Sequence, residues 1–181
     1  MRYLVLACSL LLVPVYGQAG EPALLRSTLI VADVDRAIAF YGQLGFMVES
    51  DRAGPRKPDS PFPLASPSST FRLVILNSAD QASGKLGLLS FGEPQPPVLA
   101  PPRDRLGIGD VVFVVRHPDA EAIFRQLRQS GARLVEPEPV PYEMRRPDGN
   151  LGRGRLFHVF DPDGRLVEVM SPAMDVPPAD Q

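Results

Sequence analysis

"ALLRSTLIVADVDRAIAFYGQLGFMVES", residues 23–50, opens with an alternation of period two: Leu25, Ser27, Leu29 and Val31 share one face, Arg26, Thr28 and Ile30 the other. That is the periodicity of a strand. After Asp33 the period changes. Ala37, Ile38, Phe40, Tyr41 and Leu44 form the apolar side of a helix, with Asp33 placed to cap it and Gly45 to stop it before a new strand from Phe46. The same order returns in "GIGDVVFVVRHPDAEAIFRQLRQSGARLVE", residues 107–136. It predicts a strand over 108–115, a helix over 119–129 with Ala122, Ile123, Phe124 and Leu127 inward, a stop at Gly131 and a strand over 133–136. Two further strands follow each copy: "TFRLVILN" (70–77) and "KLGLLSF" (85–91) in the first, "GRLFHVF" (154–160) and "RLVEVMS" (165–171) in the second. The chain reads as a tandem β-α-β-β-β repeat of the α+β class.

The last two strands meet around Asp161-Pro162-Asp163-Gly164. Proline supplies a fixed φ at the second position and glycine tolerates the positive φ that ends a type I turn with a bulge. Such a loop pairs Asp161 with Arg165, and antiparallel register then sets Phe160 against Leu166, His158 against Glu168 and Leu156 against Met170. A loop one residue shorter or longer would turn His158 to the other face.

"LIVADVDRAIAFYGQLGF" (29–46) and "FDPDGRLVEV" (160–169) together resemble the vicinal oxygen chelate superfamily, which includes glyoxalase I, extradiol dioxygenases, and fosfomycin and bleomycin resistance proteins. The resemblance spans 24–171. It implies that the two modules pair into a curved, cup-shaped mixed sheet with helices outside, that ligands bind inside, and that a divalent metal usually sits there. It does not carry over an activity, since one fold hosts many chemistries. The usual ligand positions depart from the family pattern: the first-strand histidine corresponds to Arg26 and the second-module histidine to Asp110, while the terminal glutamate is kept as Glu168. "LGLLSF" (86–91) has no carboxylate before Glu93. A guanidinium has no lone pair to donate and stays protonated, so Arg26 would repel a metal. It suits carboxylates instead, and alternation places Arg26 on the face opposite the helices, where it is expected to approach Asp110, Glu168 or both.

Three readings of the cup follow. It binds a small anionic or oxygen-rich molecule without chemistry, on Arg26, Asp110, Tyr142, Arg145 and Arg146. Alternatively it is an enzyme of lyase, isomerase or dioxygenase type, with His158 as acid or base oriented by Glu168. Finally, Glu168, His158 and Asp110 hold a divalent metal in rearranged form; otherwise no cofactor is expected. Tyr142, Arg145 and Arg146 belong to "YEMRRPDGNLGRG" (142–154), expected to be a mobile loop at the rim. His117, just before Pro118, is expected in an exposed turn.

Residues 1–19 have one early basic residue, an apolar run and small residues beyond it, as a secretory signal peptide does. Pro14 and Gln18 keep the run short of the roughly 18 apolar residues of a membrane span. A periplasmic or secreted protein is expected, with no stable membrane insertion after cleavage at Gly17 or Ala19. The single cysteine, Cys8, would leave with the leader, so thiol chemistry is excluded from the remainder. A formal charge of −2 and scattered basic residues give no reason to expect nucleic acid. The remaining chain is read as one domain over 20–171, with module one at 24–92, a proline-rich linker at 93–107, module two at 108–171 and a flexible tail at 172–181. Monomer and homodimer are both compatible with it.

Overall fold

The computed structural model describes residues 24–57, 59–60, 62–65, 68–80, 84–98, 105–146 and 148–175. The segment read as a signal peptide, with Cys8, lies outside the described residues. The first repeat comprises β1 (Arg26–Ile30), α1 (Val34–Gln43), β2 (Met47–Pro55), β3 (Thr70–Asn77) and β4 (Lys85–Phe91). Its sheet has the order β1-β4-β3-β2, with β1 parallel to β4 and the other pairs antiparallel. The second repeat comprises β5 (Val112–Arg116), α2 (Ala120–Gln129), β6 (Arg133–Leu134), β7 (Val140–Arg145), β8 (Leu151–Phe160), β9 (Leu166–Met170) and β10 (Met174–Asp175). Here β5 runs parallel to β9, β9 is antiparallel to the ten-residue β8, and β6 and β7 line the other edge of β8. In both modules the strand before the helix thus returns beside the last long strand. The repeat predicted from sequence is a repeat of topology.

Local chemistry explains the matching boundaries. Asp33 accepts from the amides of Asp35 (2.9 Å) and Arg36 (3.1 Å), and Asp119 accepts from Ala122 (2.8 Å), so each helix starts on an aspartate cap. Gly45 and Gly131, at φ 89° and 76°, end them in the left-handed region. The apolar sides of both helices join one core with Leu29, Val31, Val74, Leu88, Phe157 and Val167, all buried. Each such side chain contributes on the order of 1.5–3 kcal/mol by leaving water. The helices cover one face of each sheet and leave the other open.

The Asp161–Gly164 turn ties the modules together. Its register is the predicted one, with the Asp161 amide donating to the Arg165 carbonyl (2.8 Å) and Gly164 at φ 87°. The Asp161 side chain is buried, yet it faces α1 of the other module: the Tyr41 hydroxyl donates to its Oδ2 at 3.0 Å. Arg165 donates to Asp161 and Asp163 (both 3.2 Å) and to the Ile30 carbonyl, while Asp163 accepts from the Ala32 amide (3.2 Å). Burial raises the Tyr41 phenol pKa, and the Asp161 charge raises it further. Burial opposes the charged form of Arg165, but the two aspartates outweigh it and hold its pKa above the ordinary value.

Four expectations are corrected. β5 begins at Val112 rather than 108, because residues 107–110 form a turn: the Asp110 amide donates to the Gly107 carbonyl (3.1 Å) and its carboxylate accepts from the Gly107 amide (2.6 Å). An aspartate that bonds its own backbone competes with strand formation. The segment expected to be a rim loop is largely the β7–β8 hairpin, paired from Val140↔Leu156 to Arg145↔Leu151. Met174 and Asp175 of the expected tail pair with Arg153 and Gly152. His117 is half-buried beside Gly45, its amide bonded to the Met170 carbonyl and its Nδ1 accepting from Asp119.

Candidate functional site

The open face of β8 carries Gly152, Gly154, Leu156, His158 and Phe160, since Phe157 and Val159 point into the core. Directly across from His158 on β9 is Glu168, with His158 Nε2 3.1 Å from its Oε2. The turn chemistry therefore delivers the pair the sequence predicts. A third member was not anticipated. Glu136 follows β6 where the chain bends before Pro137, and the bend brings its carboxylate to the edge of β8. One oxygen accepts the His158 backbone amide at 2.7 Å, replacing the carbonyl that a longer β6 would have supplied; the other lies 2.6 Å from His158 Nδ1.

His158 is thus held between two carboxylates. The side chains of Glu136, His158 and Glu168 are 18%, 24% and 25% exposed, enough to meet a solute yet largely shielded from solvent. Both ring nitrogens facing carboxylate oxygens are satisfied at once when the ring carries both protons. Burial pushes the Glu136 carboxyl up, but the amide and ring of His158 outweigh it and hold it below the usual carboxylate range.

Tyr142 joins the same face. On β7 it lies opposite Gly154, where an added Cβ would come within 2.5 Å of its ring, and its hydroxyl donates to the Ser171 carbonyl at 2.5 Å. Burial raises the phenol pKa; Arg146 lowers it and Glu168 raises it, so the ring senses the acidic trio. Arg146 passes over Gly152 and donates to the Ala173 carbonyl. The two glycines clear the strand for these side chains. In the sequence they look like a flexible loop, but their period-two spacing before His158 is the signal that they share its face.

Three expected members are placed elsewhere. Arg26 donates Nε to Thr28 Oγ1 (3.2 Å) on its own edge strand and reaches neither Asp110 nor Glu168, which belong to the other module. Asp110 lies in the Gly107 turn, outside the alternation of β5 that was to aim it. Arg145, on the opposite face of the hairpin from Tyr142, donates to the Gly149 carbonyl (2.9 Å). The repeat also sharpens the comparison between modules. The pairs Thr28↔Gly87 and Val114↔Glu168 occupy equivalent positions, so Gly87 stands where Glu168 stands in module two, and Val112, not Asp110, matches Arg26. Among the described residues no group of three or more His, Cys, Asp or Glu side chains is arranged to hold a metal ion.

At the turn end of this face, one step past His158 and Glu168, Phe160 and Leu166 enter the wall of a cavity of about 620 Å³ between the modules. Ile30 and Phe91 line it from the first sheet; residues 62–65 and 95–98, from two proline-rich segments, lie over it.

A topology of this kind has relatives. Residues 23–169 match the profile of the Glyoxalase/Bleomycin resistance protein/Dioxygenase superfamily. The chain belongs to this superfamily. Its fold is similar to that of a glyoxalase family protein from Bacillus cereus (TM-score 0.56, 21% identity, 83% of this chain and 96% of that one). It is also similar to the trypanothione-dependent glyoxalase I of Leishmania major (0.53, 18%, 83% and 86%) and to glyoxalase I of Zea mays (0.54, 18%, 81% and 44%). Identities this low carry the fold and no activity. No curated protein matches the sequence.

Proposed function

We propose that this superfamily member is an exported protein that binds a small anionic or oxygen-rich molecule in its cup, and that the divalent metal site usual in the family has been lost. The observation that carries the proposal is the fate of the ligand positions. Arg26 offers no lone pair, Asp110 is committed to the Gly107 amide, and the surviving Glu168 is engaged by His158, whose second nitrogen faces Glu136. The residues present do not fit a divalent ion. Export rests on the apolar, small-residue pattern of 1–19. The test is mass spectrometry of small molecules released from the purified protein, alongside elemental analysis. A bound organic molecule without stoichiometric metal is expected; about one zinc, iron or manganese per chain, lost in Glu168→Ala, would overturn the proposal.

A second reading has its own observation. A histidine fixed by one carboxylate and facing another is an arrangement that moves protons, and the short Glu136 contact orients the ring as a catalytic imidazole is oriented. In that enzyme, metal-free, His158 exchanges a proton with a substrate that displaces Glu168 from Nε2. His158→Ala separates the readings. An enzyme loses turnover of its substrate and keeps most of its affinity, whereas a binding protein has no turnover to lose.

A further inference from the structure

The cavity between the modules is built differently from the acidic trio beside it. Its wall is mainly apolar, with Phe91, Phe160 and Leu166 on the sheets and Phe62 above, the Phe62 ring 6.0 Å from that of Phe91. The described residues that carry Phe62 over it are anchored. Arg56 donates to the carbonyls of Ser60 and Phe62 (both 3.1 Å), and the buried Ser68 hydroxyl lies 3.0 Å and 2.9 Å from the carbonyls of Thr70 and Gly92. A volume of about 620 Å³ is that of a small-molecule pocket.

Its charges select the ligand. Asp163 is held by Arg165 and the Ala32 amide, and Asp110 accepts from the Gly107 amide, so the carboxylates on the wall are already engaged. Arg36, in the first turn of α1, and Arg105, at the end of the linker, are exposed at the wall and hold no carboxylate among the described residues. An apolar chamber with two uncommitted guanidiniums at its edge fits an apolar body bearing an anionic head, because the head gains charge-assisted hydrogen bonds while the body leaves water. We propose that this cavity is a binding site for small carboxylates with an aromatic or branched apolar body, the carboxylate held by Arg36 and Arg105. The inference rests on the cup-binding reading above and gives that reading a place and a ligand class.

The test is calorimetric titration of the full mature chain with 3-phenylpropanoate and with its uncharged amide. Wild type is expected to bind the acid at least about tenfold more tightly than the amide. The double variant Arg36→Ala/Arg105→Ala should lose about tenfold on the acid and keep its affinity for the amide, Phe62→Ala should weaken both, and Arg125→Ala on α2 should change neither. Circular dichroism checks that each variant is folded. Equal binding of acid and amide, no binding of either at millimolar concentration, or an unchanged double variant would overturn the assignment. The two proposals fail separately: if a molecule co-purifies and the double variant retains it as wild type does, the cavity assignment falls while the cup reading stands.

Discussion

Tyr41→Phe tests whether the two modules depend on the bond across them. The substitution keeps the ring, which is fully buried and packs edge-on against Phe40 at 5.1 Å and Phe46 at 6.0 Å, so no cavity opens. It removes one hydrogen bond to an ionised carboxylate, worth about 1.5–3 kcal/mol. Asp161 retains the Asp163 and Arg165 amides (3.0 Å and 2.8 Å) and the Arg165 guanidinium, which places the loss toward the lower end, about 1.5–2 kcal/mol. Asp161→Ala strips the same bond, leaves the buried Tyr41 hydroxyl without its acceptor and leaves Arg165 to Asp163 and the Ile30 carbonyl, for a loss toward the lower end of about 3–5 kcal/mol. Urea denaturation followed by circular dichroism measures both. A second signature lies at high pH. The phenol ionises near pH 10 in the unfolded chain but only at higher pH in the folded one, so its contribution is whole below pH 10 and declines as pH rises past it. Tyr41→Phe should therefore lose less stability between pH 9 and 11 than wild type. The reasoning fails if Tyr41→Phe lies within about 0.5 kcal/mol of wild type, or if both chains decline equally in alkali.

Other consequences follow from the site. Gly154→Ala drives a methyl into the Tyr142 ring, and is expected to cost on the order of 1–3 kcal/mol and to shift the tyrosine near-ultraviolet dichroism; an unchanged spectrum and melting temperature would contradict the packing of Tyr142 over β8. Glu136 contributes stability that is present above its unfolded pKa near 4.5 and is lost as pH falls through its lower folded value. Glu136→Gln should therefore flatten the acid limb of the stability profile, and an identical limb in both chains would remove Glu136 from the trio. His158→Ala leaves Glu136 and Glu168 without the ring between them, and about 1–2 kcal/mol of destabilisation is expected in the same urea assay.

What was legible in the sequence is what local chemistry settles. The aspartate caps, the glycine stops and the Asp-Pro-Asp-Gly turn act over a few residues each, and the turn alone fixed the register that joins His158 to Glu168 across β8 and β9. What was not legible depended on partners distant in sequence. Asp110 read as a strand residue because the apolar run continues through Val111, yet its carboxylate prefers the Gly107 amide. β7 was hidden because Pro141 and the charges at 143–146 mask the alternation, and its register became definite only beside β8. Glu136 carries no periodic signal at all. Only the bend before Pro137, seen against the amide of His158, turns its carboxylate to that strand edge.

The two modules share a scaffold but not a chemistry. Ile75 pairs with Gly87 in the first sheet as His158 pairs with Glu168 in the second, and Leu73 pairs with Leu89 as Leu156 pairs with Met170. At the level where module two presents its ionisable trio, module one thus presents Ile75 and Gly87 flanked by Ser50 and Thr28. Nor does Gly87 have room for the side chain that its counterpart Glu168 carries. A Cβ at Gly87 would meet Thr28 Oγ1 at 2.9 Å, so a glutamate there requires the neighbouring β1 side chain to give way as well.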